Sequence, residues 1–382
     1  MIKVKAANFY EGLERAGVGN GDGFVLMVDP TEQKIGDERT AQFASISSSD
    51  GEKIGMTTIQ IHTKDMSEPK VFYTTNALKS AVATLSKITE MIMIDAKESH
   101  LLLSDEKKES VIKVELKEKG MMLELPDSPD GAVVLTLDRE QFVNAVRLGG
   151  YSAIESNTAG TELIYFRIDE NENRLLVMSA RSTNLCKAEI PVKGVMSNSE
   201  NKDSWHLINH KFVQSMVRQL SGDLIQIAFT PKFMVVQSQV ARFGSKKSDG
   251  SEPTAYYNLF KAQEYGYQGK VDKKELLIGM EVAMVSGDSK YKMLSLETTD
   301  EGALKVSSKD GSNKREISQL KYEGKMQKTF FAYDLLKLVI NGCADEIDYF
   351  GGEKTPFLRF KGTDANVEYE SILAPVNSKK SE

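Results

Sequence analysis

Four groups of residues in this chain have types and spacings that chemistry could use. They are the glycine run "GVGNGDG" from Gly17 to Gly23, the pair His206 and His210, the acidic stretch "DENENRLLVMSA" from Asp169, and the cysteines Cys186 and Cys343. Four glycines in seven residues suggest a phosphate cradle. A dinucleotide fingerprint needs glycine where Asp22 stands, and a P-loop needs a Lys-Ser/Thr ending where "FVLMV" follows. Both phosphate loops also run from a strand into a helix, so that helix N-terminal amides face the anion. Here the order is reversed. Phe9, Leu13 and Ala16 have helical spacing before the glycines, and "FVLMV" reads as a strand after them. The run is therefore expected to be a helix-stop turn, with glycine in the left-handed conformation.

The other three groups are equally incomplete. His206 and His210 have the i, i+4 spacing of a zinc helix, but no glutamate follows His206, and Asn209 between them reads as a helix cap. Capping and surface roles are expected there, with no metal site. The stretch from Asp169 opens like a calcium loop, but Arg174 replaces the turn glycine and Ala180 the bidentate glutamate, so a hairpin turn explains it better. Neither cysteine sits in a nucleophile motif, and no G-x-S-x-G occurs. Nothing in the sequence proposes a reaction, and no cofactor is expected.

The elements around these residues are more informative. Three segments share one plan: "VKAANFYEGLERAG" from Val4, "LTLDREQFVNAVRLGG" from Leu135 and "GKVDKKELLIGMEVA" from Gly269. Each is a short β segment, a capping-type residue and an amphipathic helix. Three others share a second plan: an aromatic-bearing strand, a helix of about fourteen residues, a break and another strand. They begin at Phe72, Trp205 and Phe330. The two plans alternate, each recurring at a period of about 130 residues. Between them, alternating runs such as "TELIYFRIDENENRLLVMSA" and "KMLSLETTDEGALKVSSKD" predict antiparallel hairpins. The expected fold is α+β, built of three similar domains, each with antiparallel sheets and two helices. Turn-rich stretches at Asp127–Gly131 and Gln263–Gly269 place the domains at 1–128, 129–265 and 266–382.

Charge separates the function classes. With 382 residues, 49 basic and 55 acidic, the chain carries a net charge of −6, which argues against a surface coated in basic patches. Two cysteines imply no disulfide framework, and the start "MIKVKAANFYEGL" lacks an apolar signal core, so a cytoplasmic location without membrane attachment is expected. Yet the second-plan helices carry Lys79, Lys87, Lys211, Arg218 and Lys337 against the single acid Asp334. In the second of them, Phe212, Val213, Met216, Val217 and Leu220 form the apolar stripe, with Lys211 and Arg218 on the opposite side. Either this is a solvated face, or the helices line a surface that meets a polyanion.

Together these residues resemble the β sliding clamp of bacterial DNA polymerase III, over essentially the whole chain. The resemblance is strongest in "TLDREQFVNAVRLGGYSAIESNTAGTELIYFRID", "NHKFVQSMVRQL" and the C-terminal "FAYDLLKLVINGC…SILAPV". It implies half of a ring per chain, closed by a second chain head to tail around double-stranded DNA. It further implies phosphate contacts from Arg15, Lys79, Lys87, Arg147, Lys211, Arg218 and Lys337, independent of DNA sequence. The seam of the homodimer would fall on Ile112 and Val114 against Met284 and Val285. A pocket for a short apolar peptide from the polymerase or clamp-loader subunits would use Thr183, Asn184, Leu185, Pro253, Asn258, Leu373, Ala374, Pro375 and Val376. Departures fall at that pocket: "ARSTNL" stands where the family has T-D-G-H-R-L, "APVN" where it has M-P-M-R, and a tail "SKKSE" follows. A divergent or accessory clamp is implied, with its peptide preference open. The alternatives are a repeat-built interaction protein that does not touch DNA, and an enzyme without a recognisable motif.

Overall fold

The computed structural model describes residues 1–35, 39–119, 125, 132–153, 162–169, 173–181, 183–197, 204–261, 265–285, 292–352 and 357–376. The first expected boundary, the interior of the "DENEN" turn and the "SKKSE" tail lie outside the described residues. Seven α-helices occur among the described residues: α1 (Ala6–Ala16), α2 (Ala77–Leu85), α3 (Arg139–Gly149), α4 (His210–Val217), α5 (Thr254–Lys261), α6 (Lys273–Met284) and α7 (Tyr333–Gly342). Six of them follow the two alternating plans. α1, α3 and α6 each come directly after a short strand (Ile2–Lys5, Val133–Asp138, Tyr267–Asp272), as do α2, α4 and α7 (Lys70–Thr75, His206–Asn209, Thr329–Ala332). The second set is shorter than expected, at 9, 8 and 10 residues. The capping expectation holds for α6, where the Asp272 carboxylate accepts from Glu275 N at 2.9 Å. It fails for α1, which Lys5 precedes without a side-chain cap.

Contact density divides the chain into two units. The first (Met1–Arg139, Lys193–Glu200, Lys211–Lys247) holds one 13-stranded antiparallel sheet. Its core is made of residues at the spacings read from the sequence. Phe9 and Leu13 of α1 and Leu78, Val82 and Leu85 of α2 are buried with the inward residues of the strands, such as Ile46, Ile59 and Ile92. The second unit (Glu140–Val192, Asn201–His210, Ser248–Glu382) holds a nine-stranded and a four-stranded sheet. The hairpins predicted from alternation are present, Leu163–Asp169 with Arg174–Ala180 and Met293–Thr298 with Leu304–Ser308. The middle segment 129–265 contributes to both units.

The glycine run packs on strands, but not as expected. After α1 comes a single 3-10 turn, Gly17–Gly19, and the left-handed residue is Asn20 (φ 54°), not a glycine. The glycines serve close approach instead. A Cβ on Gly19 would lie 1.8 Å from the Ser48 carbonyl oxygen, and one on Gly23 would lie 1.9 Å from that of Thr74. The turn's backbone is committed to neighbouring strands, which leaves no cradle for an anion.

Candidate nucleic-acid interface and peptide groove

The seven cations expected to meet DNA all lie on or beside helices, five in the first unit and two in the second. Lys211 and Arg218 are exposed, while Phe212, Val213 and Met216 of α4 are buried, so the predicted stripe and its opposite face are both present. Lys87 is exposed just past the end of α2. Arg15, Lys79, Arg147 and Lys337 are paired with carboxylates. Arg15 lies 3.2 Å from Glu11 one turn earlier on α1, and Lys79 lies 2.7 Å from Glu14 on the same helix. Arg147 pairs with Asp364, and Lys337 lies 3.2 Å from Glu281 of α6 and 3.1 Å from the Tyr333 hydroxyl. The hydrogen bond from Lys79 holds the Glu14 carboxyl below its ordinary pKa. Counting charge on the second-plan helices alone hid this, because all four acids lie elsewhere: Glu11 and Glu14 on α1, Glu281 on α6 and Asp364 on the strand Leu358–Asp364. Exposed pairs of this kind are screened by solvent and hold their cations only weakly.

The expected peptide residues do not converge on one point. The Asn184–Pro191 strand pairs with Val367–Leu373 in the register Asn184 to Leu373 and Leu185 to Ile372. Because neighbours on a strand face opposite ways, Leu185 and Ile372 share one face while Asn184 and Leu373 share the other. Asn184 points into a buried polar cluster, where its amide nitrogen donates to the Ser152 hydroxyl at 2.9 Å. Thr183 is exposed, and its carbonyl accepts from Ala374 N at 2.8 Å; Val376 N donates to the Phe330 carbonyl, leaving the half-exposed strip Ala374, Pro375 and Val376 tied down at both ends.

On the Leu185 face the sheet is covered by α5, the helix that neither repeated plan predicts. Leu185 and Ile372 are 4% and 2% exposed, in one apolar cluster with Phe260 of α5 and with Trp205, Tyr165 and Met178. Pro253, buried, opens the helix by accepting from Tyr257 N at 2.8 Å, and Asn258 is exposed on its outer side. Of the eight residues of α5 only Phe260 is buried, a contribution of about 2–3 kcal/mol. Arg359 adds a hydrogen bond to the Leu259 carbonyl at 2.5 Å.

The residues expected at the chain-to-chain seam divide by environment. Val114 is fully buried in the first unit's core, Ile112 packs half-buried against it, and their strand Val111–Glu115 ends the sheet, leaving an unpaired edge among the described residues. In the second unit Met284 is half-buried and Val285, just past α6, is 81% exposed.

No protein-family model matches this sequence, and neither does any curated protein. Structure speaks where sequence does not. The crystal structure of a DNA polymerase sliding clamp from Bacillus subtilis matches with a TM-score of 0.80 at 12% identity, covering 99% of both chains. The DNA polymerase III beta subunit from Thermotoga maritima matches at 0.78 and 14% identity over 99% of this chain and 100% of that one. The beta subunit from Borrelia burgdorferi matches at 0.77 and 16% identity over 99% of both. The chain has the sliding-clamp fold.

The histidines and cysteines singled out in the sequence lie inside that fold. His206 lies in a strand and His210 begins α4, so the pair never shares a helical face; both are buried, contrary to the surface role expected, and His210 Nδ1 lies 3.2 Å from the Glu162 carbonyl. Strand-to-helix junctions sit under the sheet's neighbours, and that burial is invisible to spacing alone. No group of three or more metal-ligating side chains occurs among the described residues. Both cysteines are buried, and burial pushes the Cys343 thiol up to about 12. No helix among the described residues is long and apolar enough to cross a membrane. The groove residues missed by the sequence reading are Ile372, Phe260 and Trp205. Period-two alternation in "VEYESILAPV" could have placed Ile372 beside Leu185, but nothing local announced α5.

Proposed function

We propose that this chain is a non-catalytic DNA sliding clamp, working as a head-to-tail homodimer that encircles double-stranded DNA and tethers a polymerase. The observation that carries the reading is likeness to DNA polymerase sliding clamps over 99% of this chain and at least 99% of theirs. A ring holds DNA by topology, so tight binding to phosphate is unnecessary and would oppose sliding. Lys and Arg side chains on flexible stems give contacts that are salt-sensitive and blind to base sequence. Arg15, Lys79, Lys87, Arg147, Lys211, Arg218 and Lys337 supply them, in a chain whose net charge of −6 repels DNA elsewhere. The three domains 1–128, 129–265 and 266–382 provide the modules of each half-ring. Closure uses Ile112 and Val114 of one chain against Met284 and Val285 of the other, and the exposure of Val285 supports a partner there. Polymerase and clamp-loader subunits dock by a short apolar peptide near Leu185 and the strip Ala374 to Val376.

Retention on plasmid DNA tests this directly. The complex should persist on a closed circle through a salt wash and be lost when the circle is cut once. Equal retention on circular and linear DNA would refute encirclement.

A further inference from the structure

One cavity of the first unit stands where another copy of the same plan holds a lysine. Each first-plan helix opens with an N–H that donates to a carbonyl just past its second-plan partner. Ala6 donates to Glu90 at 2.9 Å, Arg139 to Asp223 at 2.9 Å and Lys273 to Asp345 at 2.8 Å, so the three positions are equivalent. The third copy also uses its side chain. Lys273 Nζ donates to the carbonyls of Asn341 at 3.0 Å and Cys343 at 2.6 Å, a cation at the negative end of α7. Counted back from Glu90 as from Asp345, the matching carbonyls in the first copy are those of Ser86 and Ile88. No donor among the described residues reaches either. The second copy has a cation here too, Arg139, but the first has Ala6. Over the end of α2 there is instead an open cavity of about 520 Å³, bordered by Ala6, Tyr10, Ser86, Thr89, Glu90 and Met91.

We propose that this cavity binds an aliphatic diamine, one ammonium taking the place that Lys273 Nζ has in the third copy. The lining suits that ligand at both ends and between them. The first ammonium meets carbonyl oxygens at a helix C-terminus and the Glu90 carboxylate, which has no ion pair or side-chain hydrogen bond among the described residues. The methylene stem lies along the Tyr10 ring and the Met91 thioether, both half-buried. Glu11 borders the cavity from α1, pairs with Arg15, and receives the second ammonium. Two carboxylates disfavour an anion, and the second of them favours a dication over a single lysine side chain. Lys5 also borders the cavity, but its ammonium lies beyond ion-pairing distance of Glu90 and Glu11. A bound diamine ties the end of α2 to the start of α1, as Lys273 ties α7 to α6.

Calorimetry on the full chain at fixed ionic strength tests this, with cadaverine as the probe. Binding should saturate at one site per chain and raise the melting temperature, while the uncharged diol analogue should not bind. A blocked lysine amide, a monocation, should bind about twofold or more weaker. Ala6→Lys supplies the missing side chain and should abolish saturable binding. Should that variant fail to fold, Glu90→Lys decides. Reversing this exposed charge leaves the core untouched and should weaken cadaverine about fivefold or more. Glu68→Lys, the same charge change at another exposed position, should bind as the wild type does. No saturation, equal affinity in a folded Ala6→Lys chain, or equal losses in the two glutamate variants overturns the proposal. The last result would mean that the amine follows the chain's net charge of −6 and not a site. A lysine amide that binds as tightly as cadaverine overturns the diamine assignment. None of these measurements involves DNA, so the site stands or falls apart from the clamp reading.

Discussion

Neutralising Glu14 should strengthen DNA binding, and the size of the gain follows from its contact with Lys79. In the folded chain Lys79 Nζ lies 2.7 Å from the Glu14 carboxylate, so a phosphate reaching Lys79 must first replace that partner. Glu14→Gln keeps the shape and removes the charge. A half-exposed pair is worth about 0.2–1 kcal/mol, which corresponds to about 1.4- to 5-fold in affinity per subunit. The change also frees one cation per chain to release a DNA counterion, steepening the plot of log affinity against log salt by about 0.9 per chain. Lys211→Glu with Arg218→Glu should act oppositely, flattening the slope by about 1.8 per chain. Fluorescence anisotropy with a labelled short duplex, between 50 and 200 mM salt (about 3.5-fold in affinity per phosphate over that range), measures both quantities. Unchanged affinity and slope in Glu14→Gln would mean that Lys79 does not meet phosphate. Unchanged binding in the double variant as well would refute the cationic-helix reading as a whole. It would favour the interaction protein that never touches DNA, for which carboxylate-paired cations are simply a solvated surface.

Residues at opposite extremes of burial give three further outcomes. Val285→Glu should halve the solution mass by light scattering, from twice to once the 42.4 kDa chain, while leaving the melting temperature within a few degrees, because an 81% exposed side chain supports no core of its own; a dimer that survives places the seam elsewhere. Cys343, its thiol pushed by burial up to about 12 against an ordinary 9.0, should resist an aromatic disulfide reagent at pH 8 until the chain is unfolded, since in the folded chain the thiolate fraction is on the order of 10⁻⁴. Tyr267, also raised to about 12, shares that sign: both groups hold protons more tightly in the fold. Their stabilising contribution is complete below the unfolded pKa and drains away as pH rises toward 12, so thermal stability should fall on the alkaline side. Labelling of both thiols in the folded protein would contradict their burial.

The fold was legible because its signal is repeated. Phe9 and Leu13, Leu78 and Val82, and Phe212 and Met216 each bury one face of a helix on a sheet, and three noisy copies of that pattern reinforce one another. The glycine turn shows where such reading stops. Chain order was enough to exclude a phosphate loop, but the close passage of Gly19 by Ser48 depends on strands about thirty residues away in sequence, and only coordinates join them.

The sites were less legible for a physical reason: each depends on pairs drawn from different elements. Charge counted along α2 predicts a bare cation at Lys79, whereas its state is decided by Glu14, whose helix comes from the other repeated plan. Pocket positions taken along the chain put Asn184, Leu185 and Leu373 together, whereas the one-residue register of the sheet sends Leu185 to one face and its neighbours to the other. The same logic governs α5. Its sequence, TAYYNLFK, holds a single buried side chain, so periodicity had almost nothing to detect. Its place is set instead by contacts from other elements: Phe260 lies in the cluster with Leu185 and Ile372, Tyr257 meets Trp205 edge-on, and the Leu259 carbonyl accepts from Arg359.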